Sequence, residues 1–317
     1  MLEVFFCNVG DGDAILLTEH LPDGTDYHVM VDTGRPCLDS AEGSLRKEAV
    51  YYLIRRNVRR LDRMILTHLH IDHTGGASRI VRTVPTGGLY ALYLPPAGAG
   101  LIMPSFRSTV KTVNNLVQQL NLFRELIGTA EETGCEAFRV RAGTEQLTKR
   151  LSVTAYLPRK EIRERQREVF DSLYLGKDTE PDTCYRAAKE RNVSSLMLRF
   201  EYAGRSILLT GDRYASDWEN EEIPQSDIVK LPHHGDPKSM TEPLIRKLAP
   251  QYAVISCQND PGGNKDRPNA EIVSMLQRNV PHILCTENRS LPTLDASTHN
   301  GILFRIGTNG SICCSME

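Results

Sequence analysis

Apolar residues along this chain come mostly in short runs broken by Gly, Asp and Pro, the spacing of strands, with a few longer stretches of three-and-four periodicity between them. Residues 2–7, 13–19 and 27–32 read as an antiparallel meander, and Arg63-Met64-Ile65-Leu66 as a buried strand. Further strands are expected at Leu89–Leu94, at 151–157, and at Ser194–Tyr202 and Arg205–Thr210, the last two forming a hairpin through Ala203-Gly204. Ser226–Leu231 stops at Pro232. Ile283–Cys285, Ile302–Ile306 and Ile312–Cys314 are expected to complete a second sheet. Helical spacing predicts Ser44–Asn57, through Leu45, Ala49, Tyr52 and Leu53, and a long amphipathic helix from Phe106 to Thr133 through Val110, Val113, Val117, Leu120, Phe123 and Ile127. Shorter helices are expected from near Ala77, from near Tyr214 and over Asn269–Arg278. This alternation predicts an α/β protein.

Pro158–Arg191 breaks the pattern. It is dense in charge and reads as an inserted helical segment, where Arg159, Lys160, Arg163, Arg165 and Arg167 alternate with Glu161, Glu164 and Glu168. Such interleaving describes a solvated face, with a lid or substrate-gripping role as the sharper alternative. The span 97–191 is accordingly expected to contain the helical insertion, and a homo-oligomeric interface could lie there.

Length and charge narrow the class. A chain of 317 residues is ample for one large α/β domain over 1–317. Its net charge of −2 argues against a protein that coats duplex nucleic acid, although a local basic groove is compatible with it. The eight cysteines lack C-x-x-C spacing and read as free thiols. Leu2–Phe6 reads as a strand and not as a leader, and no apolar run approaches membrane-spanning length, so a cytoplasmic setting without membrane contact is expected.

The chemistry concentrates in Thr67-His68-Leu69-His70-Ile71-Asp72-His73-Thr74-Gly75-Gly76, an H-x-H-x-D-H pattern. Three imidazoles and a carboxylate this close have no use in a folding core, where each would need its own partner, but they suit divalent metal ions. His68 and His70, two apart on an extended segment, point the same way and can share one ion, while Asp72 and His73 follow a bend and can face a second. Asp212, delivered by the strand Arg205–Thr210, is the natural bridging ligand. In His233-His234, neighbouring side chains on an extended chain diverge, so one is expected to bind metal. His234 is favoured for the Asp72/His73 ion and His233 for the scissile group, the reverse being nearly as good.

These stretches together resemble the metallo-β-lactamase fold hydrolases. Phe6-Cys7-Asn8-Val9-Gly10-Asp11-Gly12-Asp13-Ala14-Ile15-Leu16-Leu17 is similar to the opening block of their ComEC-like subgroup, with Asn8 and Asp11 departing from it. Val31–Gly34, Asn192–Leu196, Leu208–Asp212 and Lys230–Gly235 resemble its later blocks in order. The resemblance implies an αββα sandwich of two mixed sheets with a dinuclear site at one edge. It also implies that Asp32 supports the metal loop, although a turn-forming Asp is the plain alternative. Asp13 is a candidate supporting residue. Two departures stand out. No histidine lies between His73 and His233, so the His68/His70 ion must complete its shell with Asp212, water or a side chain such as Asn192. Near the end, where the subgroup carries His-Pro, this chain has Arg267-Pro268, a phosphate fork or a plain surface charge. His20, His28, His282 and His299 have no motif context and are expected to be structural or exposed.

Nitrogen and oxygen donors without thiolate fit two divalent ions, zinc first and manganese as the alternative. Such ions lower the pKa of a bound water, so the expected reaction is hydrolysis, with Asp72 and His233 as catalytic residues. The subgroup, which includes proteins linked to DNA uptake and a phosphocholine esterase, implies a phosphodiesterase or nuclease acting on DNA, single-stranded ends or nucleotide-sized phosphodiesters. Hydrolysis of a carboxylic ester, thioester or lactone is one alternative. A catalytically weak scaffold that binds nucleic acid or a partner is the other.

Overall fold

In the computed structural model, which describes residues 1–38, 42–97, 101–105, 107–177, 179–261 and 267–317, two mixed sheets face each other between outer layers of helix. The first sheet starts with β1 (Leu2–Cys7), β2 (Ile15–His20) and β3 (Asp26–Val31), paired antiparallel. β4 (Arg63–Leu66), β5 (Gly88–Ala91) and β6 (Glu136–Arg139) then add in parallel. Parallel pairing needs crossovers, and these carry α1 (Ala49–Arg55), α2 (Ile71–Thr74), α3 (Ala77–Thr83) and α4 (Lys111–Thr133).

The second sheet repeats the plan. β7 (Gly143–Gln146), β8 (Leu151–Tyr156), β9 (Met197–Tyr202) and β10 (Arg205–Leu209) are antiparallel, and α5 (Lys160–Tyr174) and α6 (Pro181–Lys189) intervene between β8 and β9. β11 (Ile228–Lys230), β12 (Tyr252–Ile255) and β13 (His282–Cys285) follow in parallel, with α7 (Glu242–Leu248) and α8 (Ala270–Asn279) as crossovers. A small ladder of β14 (Glu287–Asn288) and β15 (Ser297–Thr298) precedes β16 (Gly301–Ile306) and β17 (Ile312–Met316).

Side-chain alternation builds three apolar layers from these strands. Val4, Phe6, Leu17 and Phe304 meet Phe200, Ile207 and Leu209 between the sheets. Phe5, Leu16 and Met30 point the other way, against α1, α3 and α4. Leu208, Val229 and Ala253 pack on α7 and α8. Strands buried on both faces must be apolar throughout, which is why their runs stand out.

Several expectations need correcting. β16 and β17 join the first sheet beside β1, not the second, and Phe304 stacks edge-on against Phe6 at 5.9 Å. A strand apolar on both faces fits either sheet by pattern alone. α1 is shorter than expected, and Leu45 is 43 % exposed, because Ser44 is tied by its hydroxyl to Glu287 (3.1 Å) before the helix begins. The long helix starts at Lys111; the expected start at Phe106 lies outside the described residues. The span 97–191 is not purely helical, since it supplies β6, β7 and β8 as well as α4, α5 and α6. β6 and β7, reading Glu-Ala-Phe-Arg and Gly-Thr-Glu-Gln, are too polar to show as strands in sequence. Among the described residues no helix is long and apolar enough to cross a membrane, and all eight cysteines are free thiols.

Candidate metal centre

The parallel halves of both sheets send their carboxyl ends to one edge, the usual place for a ligand in such sheets. Asp32 follows β3, His68 follows β4, Asp212 follows β10, and His233 and His234 follow β11. Leu196 N donates to Thr67 O (2.8 Å) and ties the two sheets together here. The backbone of the Gly10–Asp13 turn runs against the metal loop: Asp13 N donates to Asp72 O (3.2 Å), and a Cβ on Gly12, at φ +136°, would lie 2.2 Å from that oxygen. Only glycine fits.

Three imidazoles turn the same edge inward. His73 donates Nδ1–H to Asp32 Oδ2 (2.7 Å) and His234 donates Nδ1–H to Ser256 O (3.0 Å). Thr67 spends its only hydroxyl proton on Asp32 Oδ2 (2.7 Å), so its contact with His68 Nδ1 (3.0 Å) requires the ring to donate. Each Nε2 is therefore left unprotonated when the ring is neutral, and each faces Asp212. The distances are 3.7 Å from His68 Nε2 to Oδ2, 3.3 Å from His73 Nε2 to Oδ1 and 3.9 Å from His234 Nε2 to Oδ1. His73 Nε2, His234 Nε2 and Asp212 Oδ1 are buried without a hydrogen-bond partner. Buried polar atoms are rarely left so, and a cation between them would satisfy all three. His68 Nε2 and His70 Nδ1 likewise face each other at 2.9 Å.

Three groups of donor atoms thus converge within 4.8 Å: His68, His70 and Asp212; Asp72, His73 and His234; and Asp13, His73 and Asp212. The first two correspond to the two ion positions expected from the sequence, and Asp212 faces both. Burial holds the His68, His70 and His234 imidazoles well below their usual pKa, in the neutral form that ligation needs. Burial would lower His73 as well, but the Asp212 and Asp32 carboxylates outweigh it and hold His73 well above its usual value. Asp212 itself is held well below the carboxylate range, because His73 and His234 outweigh its burial. These donors fit divalent ions.

The surrounding residues differ from expectation in part. His233 and His234 are not extended: both have left-handed backbones (φ 48° and 58°) in a tight turn over Pro232–Gly235, so the divergence expected of an extended chain does not apply. Both are buried even so. His233 Nε2 contacts Asn192 Nδ2 at 3.2 Å, its Nδ1 lies 3.5 Å from Asp236 Oδ2, and Asn192 also donates to Tyr214 Oη (2.9 Å). Arg267 sits outside this pair, its Nη2 3.5 Å from Asp236. Asp13 Oδ2 is in contact with Lys230 Nζ, which also donates to Gly211 O (3.2 Å). The departing residues Asn8 and Asp11 are structural here: Asn8 donates to His299 O (2.9 Å) and Asp11 accepts from Gln258 N (3.0 Å).

Sequence reasoning missed Lys230 and Arg191. Lys230 interrupts the apolar run Ile228–Leu231, and a lone lysine there is a signal for a buried charge pair. Arg191 closes the charge-dense stretch and nothing in sequence marks it.

Comparison with known proteins places this architecture. The chain is 24 % identical over 299 residues to ComE operon protein 3 of Bacillus subtilis (strain 168), covering 90 % of the chain and 32 % of that protein, so it spans about a third of that relative's length. The metallo-beta-lactamase fold protein YhfI from Bacillus subtilis superposes with a TM-score of 0.50 at 11 % identity, covering 96 % of this chain and all (100 %) of that one. Unliganded yeast PDE1 gives 0.46 at 12 % identity, covering 90 % and 97 %. The family model of the metallo-beta-lactamase superfamily matches residues 8–258, and the chain belongs to that superfamily of metal-dependent hydrolases.

Proposed function

We propose that the chain hydrolyses phosphodiesters at a dinuclear centre. His68, His70 and Asp212 would hold one divalent ion, and Asp72, His73, His234 and Asp212 a second, both zinc, with manganese as the alternative. The observation that carries the reading is the inward turn of the His68, His73 and His234 Nε2 atoms around a single carboxylate. When bound, the ions supply a water of lowered pKa and draw off the negative charge that develops on the attacked group.

The chain's own residues prepare that centre. Asp32 fixes the His73 ring and, through Thr67 N (2.8 Å) and Oγ1, the end of β4 that delivers His68. Lys230 offsets the buried charge of Asp13 and lies 4.0 Å from Asp212 Oδ1. Asn192 and Asp236 hold His233, whose Nε2 is 4.0 Å from Asp212 Oδ2, so that its ring would touch the scissile group or the leaving oxygen. Asp72 would share the second ion with His73 and His234, and its Oδ2 lies 3.8 Å from His234 Nε2.

Phosphodiesters are the substrate class best supported by the resemblance of the Phe6–Leu17 and Lys230–Gly235 blocks to the ComEC-like subgroup. The similarity to ComE operon protein 3 over 90 % of the chain agrees with it. The 1–317 chain is read as one domain, with single-stranded or nucleotide-sized substrates. Hydrolysis of bis-p-nitrophenyl phosphate and of short single-stranded DNA, with zinc or manganese added, tests this. Cleavage should require metal, be lost in Asp212→Ala and fall sharply in His70→Ala. A metal-loaded protein that cleaves neither, yet cleaves carboxylic esters or lactones, overturns the phosphodiester reading.

A further inference from the structure

The charged residues on and just before α5 differ in their partners. Arg159 lies 3.6 Å from Asp217, Arg165 makes two bonds to Glu190 (2.9 and 2.7 Å), and Lys160 lies 3.7 Å from Glu164 one turn on. Arg163 and Arg167 have no carboxylate within 4.0 Å among the described residues, and neither has Arg139 on β6. Positions 160, 163, 164 and 167 follow helical spacing and fall on one side. Together with Arg139 and Gln166 they line a crevice of about 180 Å³ between α5 and the end of the first sheet.

This crevice leads towards the metal centre. Leu92, Tyr93, Gln166 and Ser194 form a wall common to it and to a smaller cavity of about 30 Å³, whose inner surface includes His68 and Arg191. Arg191 is 6 % exposed and has no carboxylate within 4.0 Å among the described residues. Its Nε donates to Ala188 O (2.8 Å) and its Nη1 to Gln119 Oε1, both neutral, and Nη2 makes no hydrogen bond among the described residues. The Asp72 carboxylate acts on Arg191 only from beyond ion-pair distance, and a buried guanidinium without a paired anion is costly, so a bound anion would be favourable there.

We propose that this crevice binds a phosphate flanking the scissile phosphodiester through Arg139, Arg163 and Arg167, with Arg191 in the adjoining cavity on the side of the metal centre. The inference rests on the phosphodiesterase reading and narrows it to substrates with a second phosphate, such as a 5′-phosphorylated dinucleotide. Net charge is silent on such a site, because the three arginines without a carboxylate partner are local; Arg163 Nε donates to Pro158 O (2.9 Å), and the one acid lining the crevice, Glu164, faces Lys160.

The test compares the Arg163→Gln/Arg167→Gln double variant with Arg159→Gln, which faces Asp217, does not line the crevice and serves as the control. Hydrolysis of 5′-phosphorylated dT2 is measured beside that of bis-p-nitrophenyl phosphate, which has no second phosphate. Tripolyphosphate binding is measured calorimetrically on chelator-treated protein at two salt concentrations. The double variant should lower the ratio of kcat/KM for the dinucleotide over the small diester about tenfold, mainly through KM, and should weaken tripolyphosphate binding, with Arg159→Gln moving neither. An unchanged ratio together with unchanged tripolyphosphate binding overturns the crevice. If no phosphodiester is cleaved but tripolyphosphate binding still falls in the double variant alone, the crevice stands and the phosphodiesterase reading fails.

Discussion

The two halves of the metal centre are built to different standards. On the Asp72 side, His73 and His234 are fully buried, and each has its outer nitrogen fixed, by the Asp32 carboxylate at 2.7 Å and by the Ser256 carbonyl at 3.0 Å. On the other side, His68 leans on a threonine hydroxyl, and the outer nitrogen of His70 has no hydrogen-bond partner among the described residues. The chain also offers no histidine between His73 and His233 to complete that shell. Outer partners fix a ring's tautomer and orientation and raise its basicity. One ion should therefore be held tightly and the other loosely, with Asp212 joining them.

Substitutions can break this asymmetry from its centre outward. Asp212→Ala should have the largest effect, a fall in kcat on the order of 10³-fold with loss of both ions, because one carboxylate serves both halves; metal analysis of the dialysed variant checks the second part. The histidines should then separate the halves. His234→Ala should remove the ion that survives dialysis. His70→Ala should instead keep about one ion per chain and recover part of its activity in excess manganese, because an ion held by an incomplete ligand set exchanges readily. Asp32→Asn should be milder, roughly 10- to 100-fold in affinity for the tight ion, since it replaces an ionised anchor of His73 while preserving shape. Gly12→Ala should be smallest in chemistry. It strains the turn against Asp72 O and should lower stability to urea by about 1–3 kcal/mol, with activity per bound ion little changed.

Both sheets and most crossovers were legible because their strands are buried on two faces and read as unbroken apolar runs. Sheet membership was not, as β16 and β17 show: Phe304 would suit the inner face of either sheet. β6 and β7 were invisible, being polar strands at the sheet edges without an apolar run to mark them. The candidate ligand set was legible for a chemical reason. Histidines and aspartates at the ends of apolar runs have few uses other than ligation, and His68, His70, Asp72, His73, Asp212 and His234 all converge. What could not be read was the support. Ser256 acts through its backbone carbonyl, which carries no residue signature, and Arg191 differs from its charged neighbours only in being buried. The left-handed turn at His233-His234 was hidden as well, because two non-glycine residues in that conformation are rare and only the folded surroundings hold them there.

The most direct test of the asymmetric centre is a calorimetric zinc titration of chelator-treated protein, wild type beside His70→Ala. The wild type should bind two equivalents in two resolved phases, and His70→Ala should lose the weaker phase while keeping the tighter one. Two equal phases in the wild type, or loss of both in His70→Ala, would contradict a centre with one anchored half and one loose half.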